Sequence, residues 1–244
     1  MTAVKLGETV CRKLREAVGP DFKLGLEKKA YDCWTFEEAT AIAPIINDLK
    51  FFFFEQPMMD LGPAQFEDYL KIKELMPNVM LWGGESFRNL RQARPFIEAR
   101  IYDAIQSDTI RLGVTENWMV ARVAGFHGLK MVPHNWASAL GTMCNSHLTA
   151  GVPNGFMCEY FMYPYTVWRD VLFKEPMVPK NGYITLSDKP GFGMELVDLE
   201  ELKKKYPYDP DAPRIQANPR FPRALDRARA RELKVREKYS RSGT

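Results

Sequence analysis

No stretch of this sequence is apolar for long enough to cross a bilayer. The N-terminal MTAVKLGETVCRKLREAV is charged and amphipathic and lacks the apolar segment of a secretory leader. The expectation is a cytoplasmic chain with no membrane partner. Cysteine is sparse and scattered. Cys11, Cys33, Cys144 and Cys158 form no CxxC pair and no zinc-like spacing, so reduced thiols are expected rather than a disulfide framework. An excess of one charge is lacking too: the formal net charge is +3 over 244 residues. It is unevenly spread. From Ala212 onward ten Arg and Lys face three acids, which leaves the body at about −4. A mildly acidic body with a basic tail does not describe a nucleic-acid protein, and the tail lacks the interleaved aromatics on which bases stack. No tandem repeat is visible.

What is present is a rhythm. Apolar runs at FKLGLE (22–27), FFFFE (51–55), VMLWGGE (79–85), YDAIQSD (102–108), LKMVPH (129–134) and NGFMCE (154–159) alternate with amphipathic stretches such as TFEEATAIAPIINDL and PAQFEDYLKIKELM. Strands separated by helices predict parallel βα units. Buried parallel strands read as continuous apolar runs, as FFFF does. The runs end at Glu27, Glu55, Glu85, Asp108, His134 and Glu159, in steps of 28, 30, 23, 26 and 25 residues. Each step is one βα unit, and each run ends on a residue that binds metal or carries a proton. In a β/α barrel the C-terminal ends of the strands converge on one mouth. FFFFEQP (51–57) therefore reads as a buried strand delivering Glu55 to that mouth, with Pro57 turning the chain away.

Three carboxylates at successive strand ends, Glu27, Glu55 and Glu85, suit one hard divalent cation, Mg²⁺ before zinc or copper. Asp108 one unit before His134 suits an oriented imidazole that moves a proton. Glu159 suits a hydrogen-bond donor if its acidic neighbours keep it protonated.

These pieces, taken with REAVGPDFKLGLE (15–27), WTFEEA (34–39), WGGES (82–86), SDTIRLGVTE (107–116), GLKMVPHNW (128–136) and KPGFGMEL (189–196), resemble the enolase superfamily, in its mandelate racemase/muconate lactonizing enzyme branch. The resemblance covers roughly residues 8–198, in the family's order. It implies an α/β fold, a TIM-type (β/α) barrel that is incomplete here, lacking the N-terminal capping domain and the first barrel strand. It implies a partial barrel over 1–198 and a charged, Pro-interrupted helical tail over 199–244. It further implies Mg²⁺ on Glu27, Glu55 and Glu85, a catalytic dyad of Asp108 and His134, and Glu159 as the acid beside a substrate carboxylate. Lys5 stands in for the family's Lys-x-Lys base on the opposite face, or is an ordinary exposed lysine.

The sequence departs from the family at the first metal ligand. The usual Asp-x-Asn is Glu27-Lys28-Lys29 here, so the ligand is Glu27 or Asp32, with Lys29 competing for the cation site. The missing cap suggests a chain cut from a longer one. The activity implied is a Mg²⁺-dependent acid-sugar dehydratase acting on a small carboxylate substrate. The alternatives are a racemase or epimerase with the same intermediate, which needs a second base such as Lys5, and an inactive homologue. An incomplete barrel leaves strand edges to cover, which favours a homo-oligomer. His127, His147, Trp34 and Trp118 read as structural.

Overall fold

Short apolar runs separated by capped helices set the architecture. The computed structural model describes residues 2–28, 33–136, 139–160, 170–175, 177–208 and 237. Among these, five strands pair in sequence order: β1 (Gly25–Glu27), β2 (Phe53–Glu55), β3 (Met80–Gly83), β4 (Ala104–Ile105) and β5 (Lys130–Met131). Sequential pairing is what consecutive parallel βα units produce. The chain divides into two compact units, one holding residues up to Gly84 with Gln92–Ala104, the other Glu85–Arg91 with Ile105–Ile215.

In the first unit, helix α1 (Ala3–Val18) starts at the Thr2 cap and stops at Gly19, whose φ of 79° is costly for other residues. Arg15, in its last turn, donates to the carbonyls of Leu49, Gly19, Phe22 and Lys50 at 2.7–2.9 Å. That fork ties the end of α1 to the end of helix α2 (Phe36–Asp48). Helix α2 opens on a capping box, Thr35 with Glu38, and buries Ala39, Ile42, Ala43 and Ile46, one face at helical spacing. Strands β1, β2 and β3 are parallel, with Glu27 opposite Glu55 and Glu55 opposite Trp82. Helices α3 (Phe66–Glu74) and α4 (Leu90–Glu98) follow β2 and β3.

The four phenylalanines do not share one environment. Phe51 and Phe54 are buried, whereas Phe52 and Phe53 are half-buried. A two-residue alternation does not account for this, because it would group Phe51 with Phe53 and Phe52 with Phe54. The Phe53 ring stacks on Trp82 with centroids 3.8 Å apart, while Lys23 caps the Phe52 ring at 4.7 Å.

In the second unit, helices α5 (Thr109–Leu112) and α6 (Val114–Phe126) follow β4, and α7 (Ala139–Gly151) follows β5. Ile105 O accepts from Val132 N–H at 3.0 Å and Gln106 O from His134 N–H at 3.2 Å, which sets the register of β4 against β5. The sixth predicted strand is reduced to one parallel bridge, Met131 to Gly155. Gly155 is obligatory there, since a Cβ would fall 1.9 Å from Thr149 O. Beyond it, single antiparallel bridges join Phe173 to Leu196 and Lys180 to Tyr183, and the charged helix α8 spans Leu199–Lys205. The remainder of the expected tail, from residue 209 onward, falls outside the described residues, Glu237 excepted. Among the described residues, no helix is long and apolar enough to cross a membrane. None of the four cysteines is in a disulfide.

Candidate active site

The end of β4 carries the first component. Asp108 caps α5, its Oδ1 accepting from Ile110 N–H at 2.9 Å. Its other oxygen, Oδ2, lies 3.1 Å from His134 Nδ1. Both side chains are buried. The second nitrogen of the ring, Nε2, lies 3.0 Å from Glu85 Oε2. Arg111 donates to the Glu85 carbonyl at 2.7 Å and stands 3.7 Å from its carboxylate.

Glu159, at the end of the sixth run, completes the cluster. Gln106 Nε2 donates to one of its oxygens and Asn135 N–H to the other, both at 2.7 Å. Glu159 thus accepts on both oxygens. The predicted residues Glu85, Asp108, His134 and Glu159 therefore meet in one unit.

The electrostatics follow from this packing. Burial pushes the Asp108 carboxyl up, but the hydrogen bonds from His134, Ile110 and Asn145 outweigh it, and the group sits below the usual carboxylate range. Burial pushes the His134 imidazole down. The Asp108 hydrogen bond and the charges of Glu159, Glu85 and Asp108 outweigh that, so the imidazole lies above its ordinary value. A buried ring held in one orientation by a carboxylate is equipped to take and return a proton.

In the first unit, Glu27 and Glu55 are register partners on adjacent strands, Glu27 exposed and Glu55 buried. Parallel neighbours lie roughly 4.8 Å apart, so two hard oxygen donors stand side by side, a donor type that suits Mg²⁺. Among the described residues, no three His, Cys, Asp or Glu side chains gather closely enough to hold a metal ion. Lys28 is engaged elsewhere, its ammonium 4.8 Å from the centre of the Trp34 ring and 3.7 Å from Glu38. Asp32 and Lys29 lie outside the described residues.

Lys5 requires a correction. It sits in the first turn of α1, exposed, where its N–H donates to Thr2 Oγ1 at 3.3 Å. It is on a helix, not at a strand end. The amphipathic period of the N-terminal segment outweighs the single lysine as a signal.

Gln106, Asn135, Asn145 and Arg111 were not singled out from the sequence. Gln106 had one available signal, because it lies two residues before Asp108 and so on the same side of an extended chain. Asn145 and Arg111 had none, because each reaches its partner from a helix.

Residues 3–201 match the enolase C-terminal domain-like family. The chain belongs to that family. It is 27% identical over 178 residues to the D-xylonate dehydratase of Haloferax volcanii, covering 71% of this chain and 42% of that protein. It is 28% identical over 200 residues to the arabinonate dehydratase of Saccharolobus solfataricus, covering 80% and 51%. A member of the enolase superfamily from Salmonella Typhimurium superposes with a TM-score of 0.73 at 27% identity, over 84% of this chain and 51% of that one. The chain thus spans about half the length of these relatives, or less. The incomplete TIM-barrel-like α/β fold expected from the sequence is the enolase family's own.

Proposed function

We propose that this chain carries the proton-transfer machinery of an acid-sugar dehydratase. One observation carries the reading: the buried His134–Asp108 pair, 3.1 Å apart at the ends of neighbouring strands. The dehydratase relatives support the substrate class, a small hydroxylated carboxylate.

The reaction starts with removal of the proton α to the carboxylate. Because Nδ1 is engaged by Asp108, Nε2 of His134 takes that proton, and the Asp108 carboxylate stabilises the imidazolium that forms. The electron pair left on the α-carbon passes into the substrate as an enediolate. It then forms the α,β double bond as the β-hydroxyl departs, leaving as water with a proton from the imidazolium. The product enol tautomerises to a 2-keto-3-deoxy acid. Glu27, Glu55 and Glu85 would hold Mg²⁺, which when bound supplies Lewis-acid stabilisation of the charge building on the substrate carboxylate. Glu159, braced by Gln106 and Asn135, lines the same cluster and faces substrate oxygens through its acidic group.

His134→Asn is the test. With hexonates, pentonates and aldarates and added Mg²⁺, the variant is expected to lose both dehydration and exchange of the α-proton with deuterated water. Exchange that survives unchanged rules out His134 as the base. The inverting, racemase-type reading loses support from the helical position of Lys5.

A catalytically silent homologue is favoured by a different observation, the lack of a three-donor cluster among the described residues. Titration calorimetry decides between them. Sub-millimolar Mg²⁺ binding to a monodisperse protein supports the dehydratase.

A further inference from the structure

Asn145 is fully buried on α7, in the second unit. Its amide uses every hydrogen-bonding position it has. Oδ1 accepts from the backbone N–H of Thr109 at 3.1 Å and from the Thr109 hydroxyl. Nδ2 donates to the His134 carbonyl at 2.8 Å and approaches Asp108 Oδ1 at 3.4 Å. One side chain therefore reaches the chain just after Asp108, Asp108 itself and the backbone of His134. These are the two strand ends whose side chains make the proton-transfer pair.

A helix in this position needs no asparagine for packing. Other buried positions of the helix are filled by small or apolar residues such as Ala139, Gly141 and Leu148. An unpaired amide at a fully buried position is costly. Here the amide is matched on all sides, by Thr109 at its oxygen and by Asp108 and the His134 carbonyl at its nitrogen. The residue cannot touch substrate, because its polar atoms are consumed.

We propose that Asn145 is a positioning residue: it clamps the ends of β4 and β5 at the separation that keeps His134 Nδ1 bonded to Asp108. The inference rests on the reading of His134 as the base, and it adds a determinant on a different element. Replacing the amide leaves Asp108 Oδ1 held by Ile110 N–H alone and frees the His134 carbonyl. The strand ends are then free to drift, and a misplacement of about 1 Å costs on the order of 10²-fold in rate.

The test uses the whole chain labelled with ¹⁵N-histidine, at one fixed pH. The wild type is expected to show one slowly exchanging, downfield ring N–H resonance, assigned to His134 by its absence from His134→Asn. Asn145→Leu removes the amide at similar volume. Asn145→Asp keeps an acceptor toward Thr109 but turns an oxygen on the His134 carbonyl and Asp108. Both variants are expected to lose the His134 resonance to water exchange while His127 and His147 and the far-UV circular dichroism stay unchanged. If Asn145→Leu fails to fold, Asn145→Asp decides alone. A resonance that persists in a folded variant overturns the proposal, as does its absence from the wild type. α-Proton exchange is measured in parallel, with a loss of about 10²-fold expected in the variants. A wild-type chain that exchanges no α-proton sinks the dehydratase reading, and the resonance still decides Asn145.

Discussion

Glu85 Oε2 lies 3.0 Å from His134 Nε2, the ring nitrogen that points away from Asp108. The imidazole is thus held between two carboxylates, one on each nitrogen. Asp108 orients the ring, and Glu85 covers the nitrogen assigned to the reaction. Glu85 is also the third metal ligand expected from the sequence.

Glu85→Gln tests that double role. The amide keeps the size and removes the charge. Mg²⁺ affinity measured by calorimetry at pH 7.5 is expected to fall at least about tenfold, with the far-UV spectrum unchanged. Affinity equal to wild type would remove Glu85 from the ligand set.

Asp108→Asn keeps the cap of α5, because an asparagine side chain also accepts from Ile110 N–H. It removes the charge that stabilises imidazolium. α-Proton exchange is expected to drop by about 10²–10⁴-fold, with the far-UV spectrum unchanged. A variant that keeps its exchange rate would show that the carboxylate does not act on the ring.

Gly83→Ala and Gly25→Ala separate a rigid neighbour from a yielding one. A Cβ at Gly83 would fall 2.4 Å from the Tyr102 ring, and at Gly25 it would fall 2.1 Å from the Phe53 ring. Tyr102 is fully buried, bonded to Asp60 and Tyr69 and packed on Phe96. Phe53 is half-buried and has somewhere to turn. Gly83→Ala is expected to cost about 1–3 kcal/mol, and Gly25→Ala less, in spite of its nominally closer contact. Urea midpoints at constant m-value measure both.

Alkaline stability follows from Cys11. Burial pushes its thiol up to about 11, against an unfolded value of roughly 8.5. Between those values the unfolded chain has lost the proton and the folded chain keeps it. The stability linked to this group is therefore complete below about pH 8.5 and is lost as pH rises toward 11. Between pH 8 and pH 10.5 the wild type is expected to lose about 2 kcal/mol more than Cys11→Ala, as read by urea unfolding at each pH. Equal losses would mean that Cys11 ionises freely in the native state.

The pattern of strand ends was legible because buried parallel strands stand out as apolar runs, and each run closes on a charged or ring-bearing residue. That is why Glu85, Asp108, His134 and Glu159 were identifiable before any geometry. Lys5 misled because a lysine near a glycine says little, whereas the surrounding period of α1 says a great deal. The donors around Glu159 were hidden for another reason. Gln106 and Asn135 are uncharged, and their role comes only from what stands opposite them. The short reach of the sixth strand was equally hidden, since pairing depends on the edge that Met131 offers.

The sequence by itself determined the family, the βα order and the identity of the groups at the strand ends, because local periodicity and residue chemistry act over a few neighbours along the chain. The tertiary structure alone decided which nitrogen of His134 meets Asp108, that Glu85 covers the other, and that an asparagine from a distant helix holds both strand ends. Hydrogen bonds act over about 3 Å in space, and only the folded chain brings residues 85, 108, 134 and 145 within that range.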